Sequence, residues 1–215
     1  MLWIVFALAG AAVGALLPKA ADSLAAWKMR KKDKPLASAP LYTSLAACIL
    51  CALVNGAGWG LCWKFGTPVT AALAMLLWAC GTVLILLDIR LRIIPNELLL
   101  AMLLLGLPLQ FLAQGFDGLF RAAGAMIAVM IVCISLGNFM GLYKIGAGDV
   151  KLAAVMALTL GMPALVWAMA AMAGSMFLFC GVGIALRKMT LKSMLPFGPF
   201  LIVAFWVGLA VLLTL

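Results

Sequence analysis

The sequence predicts an all-α membrane protein, a polytopic bundle of about eight transmembrane helices. Of the 215 residues, 68% are hydrophobic and only 10% are charged, whereas soluble globular domains carry about 25% charged residues. The mean hydropathy is +1.27. The apolar residues also fall into runs that approach the roughly 20 residues a helix needs to cross a bilayer.

The predicted spans follow these apolar runs in chain order. The run from Leu152 to Leu186 is long for one span, and the turn signal at Gly161 to Pro163 divides it into two. The other six predicted spans are Leu2–Leu17, Leu41–Trp63, Thr67–Leu87, Leu98–Ala113, Ala122–Met140 and Pro196–Leu215. We therefore expect one domain over residues 1–215, in which 1–40 form the first span with a short basic loop and 41–215 form the helical core.

The charge of the chain predicts the orientation of the bundle. Fifteen Lys and Arg against six Asp and Glu give a net charge of +9, and basic residues collect in the cytoplasmic loops of membrane proteins. Placing the N-terminus outside leaves every basic residue except Lys64 and Arg121 on the cytoplasmic side. We expect these basic residues to lie near membrane lipid and not to bind nucleic acid.

The absence of histidine excludes serine–histidine and cysteine–histidine catalysis and histidine-ligated zinc. Cys48 and Cys51 form a single C-x-x-C, which without a second pair we interpret as helix packing. We expect no metal and no cofactor. Acid–base chemistry is left to the six carboxylates, which are Asp22, Asp33, Asp88, Glu97, Asp117 and Asp149.

Two of these carboxylates, Asp88 and Asp149, are predicted to lie at the cytoplasmic ends of different spans. Ionisable residues at membrane depth are costly and are candidates for function. Each also has a structural interpretation. Asp149 follows Gly148 and precedes an apolar helical run, so it could cap that helix, and Asp88 could pair with Arg90 or Arg92.

Two carboxylates that meet can hydrolyse a peptide bond. They do not both ionise easily when close together, so one keeps a proton while the other stays charged. The charged carboxylate takes a proton from water, and the protonated one polarises the peptide carbonyl. Gly146 and Gly148 would let the backbone approach a substrate strand closely because they have no Cβ.

The surrounding motifs resemble those of the type IV prepilin peptidase family of intramembrane aspartic proteases. "GAGDVKL" is similar to its G-x-G-D motif, and "IPN" (Ile94 to Asn96) after Asp88 and "PFGPFL" (Pro196 to Leu201) follow the same order. The resemblance implies that Asp88 and Asp149 are the catalytic pair. It also implies supporting positions, which are Pro95, Gly146, Gly148, Lys151, Pro196, Phe197 and Gly198.

The resemblance further implies an endopeptidase that removes the basic leader from type IV prepilins or pseudopilins at the cytoplasmic face of the bacterial inner membrane. Bifunctional members methylate the new N-terminus and carry a cytoplasmic domain with two C-x-x-C pairs. Here the first loop has about twenty residues and no cysteine, so methylation is not expected. Asn96 stands where many members have aspartate.

Three other readings remain open. A presenilin-type protease would act on other substrates, but "PFGP" stands where that group has P-A-L. A transporter or channel could use the acids as a proton or cation relay, although such acids usually lie near the membrane midplane. An inactive homologue could keep the fold without the activity.

Overall fold

The computed structural model describes residues 2–31, 40–139, 146–186 and 196–215. Over these residues the chain forms seven α-helices and a 3₁₀ turn at Leu41–Thr43, which confirms the all-helical prediction for this part of the chain. The α-helices are α1 (Leu2–Arg30), α2 (Leu45–Phe65), α3 (Pro68–Leu91), α4 (Asn96–Phe139), α5 (Ala147–Leu160), α6 (Ala164–Ala185) and α7 (Gly198–Thr214).

Five of these helices, α1, α2, α3, α4 and α6, are long and apolar enough to cross a membrane. The chain is therefore built as a multi-pass membrane protein. The remaining two are shorter, with 14 residues in α5 and 17 in α7. Eight crossings and an outside N-terminus stay predictions.

The first helix is longer than predicted. The first apolar run predicts a span that ends at Leu17 and is followed by a loop, but α1 continues through Pro18 to Arg30. The continuation is rich in good helix formers, and Leu17, Ala21 and Ala25, spaced four residues apart, are buried in one cluster with residues of α3. Packing of this face explains why the chain stays helical. The rest of the predicted basic loop lies outside the described residues.

The fourth helix is broken at Gly115, whose φ of 69° and ψ of −166° are not helical. The Gln110 side-chain amide donates to the Gly118 carbonyl over 3.4 Å, although eight residues of straight helix would separate their backbones by about 12 Å. The chain therefore turns at Gly115, giving α4 an N-terminal arm (96–114) and a C-terminal arm (116–139). The loop predicted between two spans is replaced by this single-residue break. Met140, the predicted end of the fifth span, lies outside the described residues.

The turn predicted at Gly161 to Pro163 is confirmed. Helix α5 ends at Leu160 and α6 begins at Ala164. Gly161 has a φ of +58°, a left-handed conformation that glycine adopts without a steric penalty.

The third helix lies at the centre of the bundle and packs against α1, α2, α4 and α7. Trp78 of α3 stacks on Trp206 of α7 with ring centroids 4.8 Å apart. Gly58 of α2 makes room for this stack, since a Cβ there would come within 2.1 Å of the Trp78 ring. Without a hydrophobic driving force between helices in lipid, such close packing is what holds a bundle together. The central position of α3 puts its C-terminal end, and Asp88, among several helices.

Candidate active site

Asp88 lies in the last turn of α3, and its residue is only 5% exposed. The helix ends just beyond it because Arg92 adopts a left-handed conformation, with φ 51° and ψ 41°, and Pro95 follows. The Arg92 N–H still donates to the Asp88 carbonyl over 2.9 Å. Asp88 is thus a buried carboxylate held at the edge of a tight turn between α3 and α4.

The start of α7 binds this carboxylate directly. The Gly198 N–H donates to Asp88 Oδ2 over 3.1 Å, and Phe197 is the N-cap residue of α7. The N-terminal end of a helix carries partial positive charge that stabilises an anion. A Cβ at Gly198 would lie 2.6 Å from Asp88 Oδ2, so only glycine allows this approach. Pro196, the first residue of the "PFGP" motif, precedes this contact in the chain.

Asp149 lies in the first turn of α5. It is not the N-cap, because Gly146 holds that position and no side chain caps the helix, so the capping interpretation is wrong. The Asp149 N–H donates to the Gly146 carbonyl over 2.9 Å, and a Cβ on Gly146 would be 2.9 Å from Asp149 Oδ2. The glycine leaves space beside the Asp149 carboxylate.

Two contacts fix the start of α5 against the turn between α3 and α4. A Cβ on Gly148 would lie 3.0 Å from Ile94 Cβ, so the backbone of α5 touches the turn closely. Lys151 Nζ donates to Asn96 Oδ1 over 3.2 Å. Pro95, between Ile94 and Asn96, is buried. The "GAGDVK" and "IPN" motifs are therefore in contact, as are "PFGP" and Asp88.

Asp149 lies before the apolar run of α5. Helix α5 is not among the helices that are long enough to cross a membrane. Burial, and then the nearby charge of Asp88, raises the pKa of Asp149 to about 6. The charge of Asp88 thus acts on Asp149 although the two acids are 61 positions apart in the sequence. Such a pair titrates as a unit and readily holds one proton between two acids.

Two ion pairs that the sequence analysis did not assign lie beside this turn. Arg90 pairs with Asp22 of α1, and both side chains are at most 10% exposed. Lys28 of α1 pairs with Glu97 at 2.7 Å. Because charged residues are rare in this chain, acidic and basic residues could be expected to pair with one another. The sequence alone does not say which acid pairs with which base.

No three His, Cys, Asp or Glu residues within the described ranges are placed to hold a metal ion. Cys48 and Cys51 both lie in α2 and are not joined in a disulfide. The candidate active site is built from carboxylates, backbone N–H groups and glycines.

A model of the type IV leader peptidase family matches residues 73–215. The chain belongs to this family. Asp88, Asp149 and all the supporting motif positions lie inside the matched region, whereas α1 and α2 lie before it. Searches of curated proteins and of solved structures found no significant match. Membership of the type IV leader peptidase family supports a peptidase activity.

Proposed function

We propose that this protein is a membrane-embedded aspartic endopeptidase that removes the basic leader from type IV prepilins or pilin-like precursors at the cytoplasmic face of the bacterial inner membrane. The family match supports the leader peptidase class. The observation that carries the aspartic mechanism is the close packing of Gly148, next to Asp149, on Ile94 in the turn that follows Asp88, and the charge of Asp88 also raises the pKa of Asp149.

In the proposed reaction, the ionised member of the pair accepts a proton from water as its oxygen attacks the scissile carbonyl carbon. The protonated member donates a hydrogen bond to the carbonyl oxygen as negative charge develops there. The tetrahedral intermediate then collapses, the C–N bond breaks, and a proton passes to the leaving amine. The Gly198 N–H orients one oxygen of Asp88 throughout.

The location of the pair suits a prepilin. The basic leader of such a substrate would stay near the anionic headgroups, while its apolar helix would lie within the bilayer. A peptide bond at the junction of the two would meet acids at the ends of α3 and α5.

The test is cleavage of a purified prepilin, followed as a shift from precursor to mature mobility. Asp88→Asn and Asp149→Asn are each expected to abolish cleavage without preventing membrane insertion. The matched control is Asp117→Asn, which changes an exposed carboxylate of α4 and is expected to cleave at the wild-type rate. Normal processing by either dyad variant would show that the acid assignment is wrong, and no processing by the wild type would indicate an inactive homologue or another substrate class.

A further inference from the structure

An open apolar cleft, which we name the apolar groove, lies between four helices. The space between its walls, counted together with the open space at its mouth, is about 270 Å³, and every residue that lines it is apolar. Its lining includes Val129 from the C-terminal arm of α4, Ala153 and Met156 from α5, Ala168 and Met172 from α6, and Ala204 from α7. Such a lining provides no hydrogen-bonding side chain, so its occupant must be apolar as well.

The groove begins about one helical turn from the candidate active site on two helices. Ala153 lies four residues after Asp149 on α5, and residues four apart share one face of a helix. Leu201, which also lines the groove, lies three residues after Gly198, whose N–H contacts Asp88. Helices α5 and α7 therefore both begin near the acid pair and run from there along the groove.

The groove is not closed between α6 and the C-terminal arm of α4. Helix α6 packs mainly on α7 and only lightly on α5, and among the described residues it has no comparable contact with α4. Toward the end of α6, Phe177 is 84% and Leu178 is 68% exposed. A second apolar helix could approach from the bilayer between α6 and the C-terminal arm of α4.

We propose that the apolar groove receives the apolar helix that follows the scissile bond in the substrate. This inference rests on the proposed function. The small residues Ala153, Ala168 and Ala204 allow the backbone of another helix to come close, which drives helix association in membranes. The flexible Met156 and Met172 side chains can adapt to different apolar partners. A helix seated here would bring the preceding peptide bond to Asp88 and Asp149.

The first test is photocrosslinking in lipid vesicles. A benzophenone amino acid replaces Met172 in the groove or, as control, Leu104, which is 62% exposed on the N-terminal arm of α4. Asp149→Asn in the same protein keeps the prepilin intact. We expect a covalent adduct with prepilin from position 172 and not from position 104. Adducts with lipid alone at position 172, or equal adducts at both positions, would overturn the proposal.

The second test compares two substrates, the full prepilin and a short peptide that spans the cleavage site but lacks the apolar helix. Met172→Trp fills the groove, and Leu104→Trp is the matched control. For Met172→Trp we expect the loss of kcat/KM to be about ten times larger for the prepilin than for the peptide. A tenfold difference corresponds to the free-energy cost that overpacking of one contact typically has. Equal losses on both substrates would overturn the groove assignment.

The two proposals fail in different ways. Capture of prepilin at position 172 of the Asp149→Asn protein, together with a wild-type protein that does not cut prepilin, would support the groove and contradict the peptidase proposal. A wild-type protein that cut prepilin while position 172 gave no adduct with it would support the peptidase and contradict the groove.

Discussion

Replacing Gly198 by alanine tests how the acid pair is held. The added Cβ would lie 2.6 Å from Asp88 Oδ2 and 2.9 Å from Asp88 Cγ. The carboxylate oxygen would have to move by about 0.8 Å to reach the 3.4 Å at which ordinary van der Waals contact begins. That movement disrupts the 3.1 Å hydrogen bond from the Gly198 N–H.

The expected size of the effect follows from that bond. A hydrogen bond to a charged group contributes about 1.5–3 kcal/mol, and each 1.4 kcal/mol changes a rate by about tenfold. Gly198→Ala should therefore lower kcat for prepilin cleavage by roughly 10- to 150-fold. The KM should change less, because the substrate helix binds elsewhere in the proposed groove.

The assay is the rate of precursor-to-mature conversion over a range of prepilin concentrations, with a thermal melt of each purified protein. The matched control is Gly124→Ala, because a Cβ at Gly124 of α4 would meet nothing within 4 Å. It should retain the wild-type rate. A Gly198→Ala protein that cleaves as fast as the wild type, or a Gly124→Ala protein that is equally slow, would refute the reasoning.

Three further predictions concern the same region. Burial and the charge of Asp88 raise the pKa of Asp149 to about 6, so the proton that the pair shares is lost as the pH rises. The cleavage rate should therefore fall above about pH 6, with a slope that approaches a tenfold loss of rate for each pH unit. A rate that still rises at alkaline pH would contradict this prediction. Lys28→Glu breaks the pair with Glu97 and should lower the melting temperature, more at low salt than at high salt. The swapped variant Lys28→Glu with Glu97→Lys should recover the loss, and no recovery would show that the pairing is not what matters. Gly148→Val should reduce cleavage more than Gly148→Ala because a Cβ there already lies 3.0 Å from Ile94; equal rates for both variants would argue against close packing at this point.

The sequence was sufficient to predict the helical bundle and the two acids. Apolar runs of this length have few other stable structures, since backbone hydrogen bonds must be satisfied inside each segment in lipid. Asp88 and Asp149 stand out because charge is rare in this chain. The contacts of Gly148 with Ile94 and of Lys151 with Asn96 agree with the expected meeting of the two motifs, while the catalytic role of the acids stays a prediction.

The remaining features depend on tertiary packing. The bond from Gly198 to Asp88 joins residues 110 positions apart, and no local pattern identifies which N–H will reach a given carboxylate. The partner of Arg90 was sought among its neighbours, yet it is Asp22 on another helix. The predicted spans left a loop between Ala113 and Ala122, but one glycine with a positive φ, Gly115, makes the turn with helix on both sides.

The ion pair between Asp22 and Arg90 has a consequence for biosynthesis. The two residues are 68 positions apart, so at about 5–20 residues per second Arg90 is synthesised roughly 3 to 14 seconds after Asp22. For that interval the aspartate of the first helix needs hydration at the bilayer surface, since its arginine does not yet exist. Once α3 is complete, Asp22 and Arg90 can be buried together as an ion pair. The final packing of α1 therefore depends on the synthesis of the helix that carries Asp88.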